Sequence, residues 1–291
     1  MKKHLLAGVA LTAAAALALS GCSSAGSDTA SAAKKPYGDC PLGGTKGEFT
    51  LKTHKPDELR VRADLPSPGW YNGDTVDEID SGVDYCILAN IAYRSGIKKI
   101  TLQNASFDAL IAGRGGEMDL TLNQIAITED REKIFDFSDP YYDATTAVVT
   151  KSGSKLTEEQ LAGAKIGVKQ GTTQQLFVTD TLKPTQQISV YPGDNELDNA
   201  VAAGQIDAAV QDLSIALGAA NASGDRLSVL SQIQTGAKMG VMLPKDSSNT
   251  AVVDKVLTQM KKDGTLDKLT SKYLGAAYGT DPSTIPVWNI R

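Results

Sequence analysis

Two successive series of short apolar strands, each strand followed by a helix, constrain this chain more than any other feature. In the first series, Leu59 to Ala63, Ile100 to Leu102 and Leu120 to Ile125 read as strands, and Val83 to Arg94 and Ser106 to Ala112 as helices. In the second, strands at Lys165 to Val168, Ile188 to Val190 and Ala208 to Val210 alternate with helices at Thr173 to Thr181, Glu196 to Ala203 and Leu213 to Ala222. Apolar residues two apart in short runs mark the strands, and apolar residues three or four apart mark the helices. Alternation of this kind predicts an α/β fold, a mainly parallel sheet with helices on both faces. Beyond it, Leu227 to Leu230 and Lys238 to Leu243 are strand candidates, and Val252 to Met260 and Leu266 to Leu274 are helices.

The two series share a motif. Phe107-Asp108-Ala109-Leu110 leads to Asp119 and Leu120, and Leu197-Asp198-Asn199-Ala200 leads to Asp207 and Ala208. In each, a helix returns through glycine to an aspartate that opens a strand, which fits two similarly built lobes. Roughly 250 residues beyond the amino-terminal segment are too many for one typical core and suit two.

The amino end fixes a compartment. Lys2, Lys3 and His4 precede a small-apolar run from Leu5 to Leu19, the pattern of a secretory signal. Fifteen apolar residues fall short of the roughly 20 that a bilayer-spanning helix needs. The following Leu19-Ser20-Gly21-Cys22 is similar to the lipobox of bacterial lipoproteins, which implies cleavage before Cys22 and fatty acylation there, diacylglycerol on the sulfur and palmitate among the acyl groups. Ser23 to Pro36 is rich in Ser, Ala, Gly and Lys and reads as a flexible tether, long enough to hold a domain roughly 20 Å from the membrane. With Cys22 taken by lipid, Cys40 and Cys86 remain as an even pair in an oxidising compartment. They are expected to form a disulfide tying the amino-terminal arm to the first helix; the alternative is two buried thiols.

Composition excludes several functions. The net charge of -5 becomes -7 once Lys2 and Lys3 leave with the signal, and no basic run offsets it, so neither nucleic acid nor an anionic membrane surface is an expected partner. Of two histidines, His4 leaves with the signal, and His54 lies in the polar stretch Thr53 to Glu58 ahead of the first strand. A histidine-rich metal site is thereby excluded, and a nucleophile system built on histidine would rest on that one residue. No catalytic residue, metal or cofactor is expected.

Arg131 is the residue that most needs a reason. It stands inside the first turn of a helix beginning at Thr128, where the helix dipole favours negative charge. Either it is a surface arginine paired with Glu129 or Asp130, or its planar fork is held there to grip an anionic ligand. The run Ile127-Thr128-Glu129-Asp130-Arg131, followed by Asp136-Phe137-Ser138-Asp139-Pro140-Tyr141-Tyr142, resembles the signature of the polar amino-acid solute-binding proteins of ABC importers, solute-binding family 3. The resemblance covers nearly the whole mature chain. It implies a two-lobed, periplasmic-binding-protein-like type II clamp that closes on one small molecule. By that resemblance the tail returns to the first lobe, so residues 58–146 and 238–291 make lobe 1 and 147–237 lobe 2. Residues 1–21 form the signal and 22–57 the lipidated cysteine, tether and arm. Two parallel crossing strands, near Thr145 to Val149 and near Gln234 to Val241, would serve as the hinge.

An α-amino acid needs donors for its carboxylate and an acceptor for its ammonium, converging on one carbon. Arg131 faces the carboxylate. Gln170-Gly171-Thr172-Thr173 follows a strand and starts a helix with free N–H groups and hydroxyls; it is an ordinary N-cap or, as the resemblance implies, the second lobe's carboxylate grip, with Thr172 and Thr173 as contacts. Asp212, at the carboxyl end of a strand, matches the family's acceptor for the ammonium and also fits the N-cap of the next helix. Asp64 matches a position that often touches the ligand side chain, and Phe107 with Trp70 or Tyr71 either supplies aromatic walls or belongs to the core. Ala126 offers only its main-chain N–H where the family usually has serine. Asn123 and Gln124 replace small residues and would place amides in the pocket. These features lean toward glutamine or a basic amino acid. The implied function is a monomeric extracytoplasmic lipoprotein delivering a polar amino acid to a membrane permease, anchored by lipid alone. The alternatives are a sensor for a signalling receptor and a dehydratase on the same fold.

Overall fold

The computed structural model describes residues 35–290. The signal, Cys22 and most of the tether lie outside the described residues.

Alternating burial of Leu59, Val61 and Ala63 makes β1 (Glu58–Ala63) a half-buried strand, as its period-two pattern requires. It pairs in parallel with β2 (Lys99–Asn104), from Glu58 opposite Lys99 to Ala63 opposite Asn104. Between them runs α1 (Val83–Arg94), buried on nearly every side. At its last turn the fully buried Arg94 guanidinium donates to Asp263 Oδ2 at 2.8 Å and to Gln259 Oε1 at 3.1 Å. The arm expected ahead of the first lobe is docked on this helix. Gly47 and Phe49 donate to the carbonyls of Tyr93 and Arg94, and Cys40 is joined to Cys86 of α1 by the expected disulfide.

After α2 (Phe107–Ile111) the structure departs from expectation. Leu120 to Ile125 is not a strand: only Thr121 and Ala126 make isolated bridges, to Met242 and Met239. Gln124 turns into the left-handed region at φ 50°, which interrupts any extended ladder. The chain then forms α3 (Glu129–Glu132), whose N-cap Thr128 accepts from the Arg131 N–H, followed by β3 (Phe135–Phe137) and β4 (Tyr142–Asp143).

The second lobe is built on a six-stranded sheet. Its elements are β5 (Thr146–Lys151), α4 (Glu158–Leu161), β6 (Ile166–Lys169), α5 (Thr173–Leu176), β7 (Ser189–Tyr191), α6 (Asp194–Ala202), β8 (Ala208–Asp212), α7 (Leu213–Ala222) and β9 (Leu227–Ile233). The turn after α5 widens to a π-helix over Phe177–Leu182, where a plain α-helix to Thr181 was expected. Val148, Val168 and Val210 face one side of the sheet, against Leu161 and Val178. Ala147, Val149 and Ala209 face the other, against Leu197 and Leu217. The sheet is mixed: β6 runs parallel to β7 and β8, but β5 is antiparallel to both β8 and β9.

The return path consists of β10 (Lys238–Met239), β11 (Met242–Pro244), α8 (Thr250–Lys262) and α9 (Thr265–Tyr278). β11 pairs with β3, and both helices pack on α1. At the crossing, β10 pairs with β4, Tyr142 opposite Met239, and the pair is antiparallel where parallel strands were expected. One strand carries the chain out and the other carries it back, so their directions oppose. The tail does not stay wholly with the first lobe: β12 (Val287–Trp288) joins β9 in parallel as the edge of the six-stranded sheet.

Both copies of the shared motif do the same work. Asp119 accepts the Arg60 N–H at 2.7 Å while its own N–H donates to the Arg60 carbonyl at 2.9 Å. Asp207 accepts the Lys165 N–H at 2.8 Å and donates back to the Lys165 carbonyl at 2.9 Å. Each aspartate clasps a strand near its start, β1 in the one case and β6 in the other.

Candidate functional site

The carboxyl ends of β6 and β8, the start of α2 and the turn of α3 converge on a cleft enclosing about 540 Å³, part of it open solvent. Carboxyl-end crevices are where open α/β sheets place ligands. Arg131, Phe107, Gln124, Ala126, Thr172, Thr173 and Asp212 all line it.

Arg131 is only 8% exposed, yet among the described residues it has no carboxylate in ion-pair range. Its guanidinium donates to the Ala126 carbonyl at 2.6 Å and to the Gly171 carbonyl at 3.1 Å, and lies 5.6 Å from the Phe107 ring centroid. Burial alone pushes its pKa down to about 10. It is therefore not the surface arginine paired with Glu129 or Asp130. A buried cation held by carbonyls and an aromatic ring is short of the anion that would offset its desolvation.

Opposite it, Gly171 takes φ +75°, a left-handed turn that suits glycine, and brings the chain to the start of α5. Thr172 is the N-cap: its hydroxyl donates to the Lys169 carbonyl and accepts the Gln175 N–H at 3.1 Å. That hydroxyl is spent on the cap, which leaves Thr173, whose hydroxyl meets only Gln174 Oε1 at 3.3 Å. The Ala126 N–H is also free of the ladder. Ala126 sits opposite Met239 at a pair flanked by the Ile127 to Lys238 and Gly240 to Ile125 bonds, the position whose own groups do not bond across.

Asp212 resolves the competition between its two roles by dividing its oxygens. Oδ1 caps α7, accepting the Ser214 N–H at 2.8 Å and the Ser214 hydroxyl. Among the described residues, Oδ2 is buried with no hydrogen-bond partner. Burial raises the carboxyl to about 6. Beside it the buried Gln211 Oε1 is also unpartnered, while Gln211 Nε2 donates to Asp198 at 3.0 Å. The sequence reading gave a role to Asp212 and none to the adjoining Gln211; neighbours on a strand point to opposite faces, but at this strand end both line the cleft.

Three expectations need correction. Trp70 and Tyr71 are fully buried and away from the cleft: Trp70 stacks edge-on with Tyr142, and the Tyr71 hydroxyl donates to the Leu122 carbonyl at 2.6 Å. Their size makes them core rather than pocket wall. Gln124 borders the cleft, but its amide is turned away, donating to Asp84 Oδ2 at 2.7 Å and accepting from the Ser67 hydroxyl. Asp84, whose carboxyl burial raises to about 7, holds it there. Asn123 likewise spends its carbonyl on the Asp64 N–H at 2.7 Å. Asp64 does not line the cleft at all. It is bound to Lys169, whose ammonium lies 2.6 Å from Asp64 Oδ2 and 2.8 Å from Asp194 Oδ2 and 5.2 Å from the Phe107 ring centroid. Lys169 and Asp194 were missed. The available signal was a lysine ending the otherwise apolar strand Ile166–Lys169.

A family model described as bacterial extracellular solute-binding proteins, family 3, matches residues 62–276. The chain is 30% identical over 208 residues to the lysine/arginine/ornithine-binding periplasmic protein of Escherichia coli (strain K12), covering 67% of this chain and 77% of that protein. It is 28% identical over 201 residues to the L-cystine-binding protein TcyJ of the same organism, covering 67% of this chain and 75% of that one. Among solved structures, an ancestral arginine-binding protein bound to glutamine matches with a TM-score of 0.69 and 30% identity, over 76% of this chain and 100% of that one.

Proposed function

The chain belongs to the bacterial extracellular solute-binding proteins, family 3, and on that premise we propose that its cleft captures a polar α-amino acid outside the cytoplasm for delivery to the permease of an ABC transporter. One observation carries the reading. A buried guanidinium without an anion and a buried carboxylate oxygen without a donor line the same cleft from different lobes. A zwitterion satisfies both at once. Arg131 takes the ligand carboxylate in two parallel hydrogen bonds, with the Thr173 hydroxyl and the Ala126 N–H as further donors. Asp212 Oδ2 takes the ammonium, and Phe107 covers the ligand's apolar flank. Because Arg131 and Ala126 come from one lobe and Thr173 and Asp212 from the other, the ligand itself favours the closed clamp.

A thermal-shift screen against the twenty amino acids tests this, since a ligand that binds only the folded form raises the melting temperature. A rise with one or a few polar amino acids is expected; a flat response to all twenty removes the reading.

The protein is held at the cell membrane as a monomer by lipid on Cys22, with the tether giving it reach. Support comes from the Leu-Ser-Gly-Cys pattern and the preceding signal. Cys22→Ser should release the protein from membranes, and a membrane fraction unchanged by that substitution removes the anchor.

A further inference from the structure

Lys169 is this cleft's most conspicuous residue that the amino-acid reading leaves unused. Its side chain is buried at the end of β6, and its ammonium is pinned between two carboxylates, Asp64 at 2.6 Å and Asp194 at 2.8 Å. The two acids come from opposite sides: Asp64 follows β1 of the first lobe, and Asp194 opens α6 of the second. Lys169 and Asp194 line the ligand cleft and also line an outer chamber enclosing about 580 Å³, part of it open solvent; Asp64 lines only the outer chamber. The lysine therefore stands as a wall between the two spaces, with Asp64 behind it.

From this arrangement, and resting on the amino-acid reading above, we propose that Lys169 sets the ligand's side-chain class by filling, with the protein's own ammonium, the place a ligand's cationic end would take. Removal of its side chain would join the two spaces into one longer cleft ending at a pair of carboxylates, the complement of a long basic side chain. With Lys169 present, such a side chain meets a like charge in a poorly hydrated site and carboxylates whose nearer oxygens are already bound. The wall has a different use for a neutral side chain. Two of the three ammonium protons go to Asp64 and Asp194, and the third is free for a carbonyl or carboxamide oxygen. The class selected is a short, neutral side chain with an acceptor at its tip, of which glutamine is the nearest example.

The test is calorimetry of the full chain in detergent with L-glutamine, L-arginine and L-lysine. Wild type and Lys169→Arg, which keeps a cation in place, are expected to bind glutamine at least tenfold more tightly than either basic amino acid. Lys169→Met should shift the ratio toward arginine by at least tenfold, and adding Asp64→Asn should cancel that gain. A wild type that prefers arginine or lysine, or a ratio in Lys169→Met within threefold of wild type, overturns the proposal. Should Lys169→Met fail to fold, Lys169→Gln is measured against the same limits. If wild type binds none of the three, the proposal falls; the twenty-amino-acid screen then separates the readings, because a response there spares the amino-acid function and a flat response removes both.

Discussion

Arg131 and Lys169 are buried cations on the same Phe107 ring, 5.6 and 5.2 Å from its centroid, and their surroundings could hardly differ more. Lys169 is held by two carboxylates, and that pairing raises its pKa against the opposing pull of burial. Among the described residues Arg131 has carbonyls and the ring alone, and burial lowers its pKa to about 10. The fold neutralises the lysine's charge with acids and leaves the arginine's, among the described residues, without a carboxylate partner. On the acidic side the same division runs through one residue, Asp212, where Oδ1 is committed to a helix cap and Oδ2 to nothing.

The contrast breaks first at Arg131. Arg131→Ala should strand a buried ligand carboxylate and weaken binding by about 3 to 5 kcal/mol, a hundredfold or more; calorimetry that finds affinity within a few-fold of wild type would take Arg131 out of the site. A bond outside the cleft sharpens the point from the other direction. Replacing Cys40 and Cys86, 46 residues apart, by serine should cost on the order of 3 to 4 kcal/mol in chemical denaturation. Ligand affinity should stay within about twofold, because neither cysteine lines the cleft. Next comes Asp64→Ala. It leaves Lys169 with one partner, so the ligand-free protein should lose about 2 kcal/mol by denaturant titration, less than a fully buried pair because Asp64 keeps some exposure. An unchanged midpoint would show that Lys169 does not depend on that pairing.

The smallest effect concerns pH. Burial lifts Asp212 to about 6 from an ordinary 3.8. Raised in this direction, it binds its proton more tightly folded than unfolded. Its contribution therefore favours the ligand-free fold at low pH and declines as pH rises through the window from about 4 to 6. Ligand binding runs oppositely, since an ammonium needs the ionised carboxylate. Affinity should fall about tenfold between pH 7 and pH 5, and Asp212→Asn, binding more weakly throughout, should lose that slope. A wild-type affinity flat across those pH values would separate Asp212 from the ammonium.

Much of this was open to reading along the chain. Thr128 with Arg131, the Gly171-Thr172-Thr173 turn and Asp212 are local signals, each a capping or turn residue whose geometry depends on near neighbours. The duplicated aspartate was visible too, and Asp119 and Asp207 prove to clasp Arg60 and Lys165 in the same reciprocal way. Leu120 to Ile125 misled because an apolar alternation says nothing of the left-handed turn at Gln124, which is tied to Asp84 forty residues earlier. Trp70 and Tyr71 misled for a related reason: an aromatic residue reads alike whether it walls a pocket or fills a core.

Sequence alone determined the βα alternation and the two similarly built halves, which follow from short-range periodicity. Only the tertiary structure decided which charges are cancelled. It brought Lys169 between Asp64 and Asp194, left Arg131 without a carboxylate and one oxygen of Asp212 without a donor among the described residues, and sent the last strand back to the six-stranded sheet. Electrostatic pairing is a property of distance in space, and residues 105 apart in the chain, such as Asp64 and Lys169, carry no local mark of being neighbours.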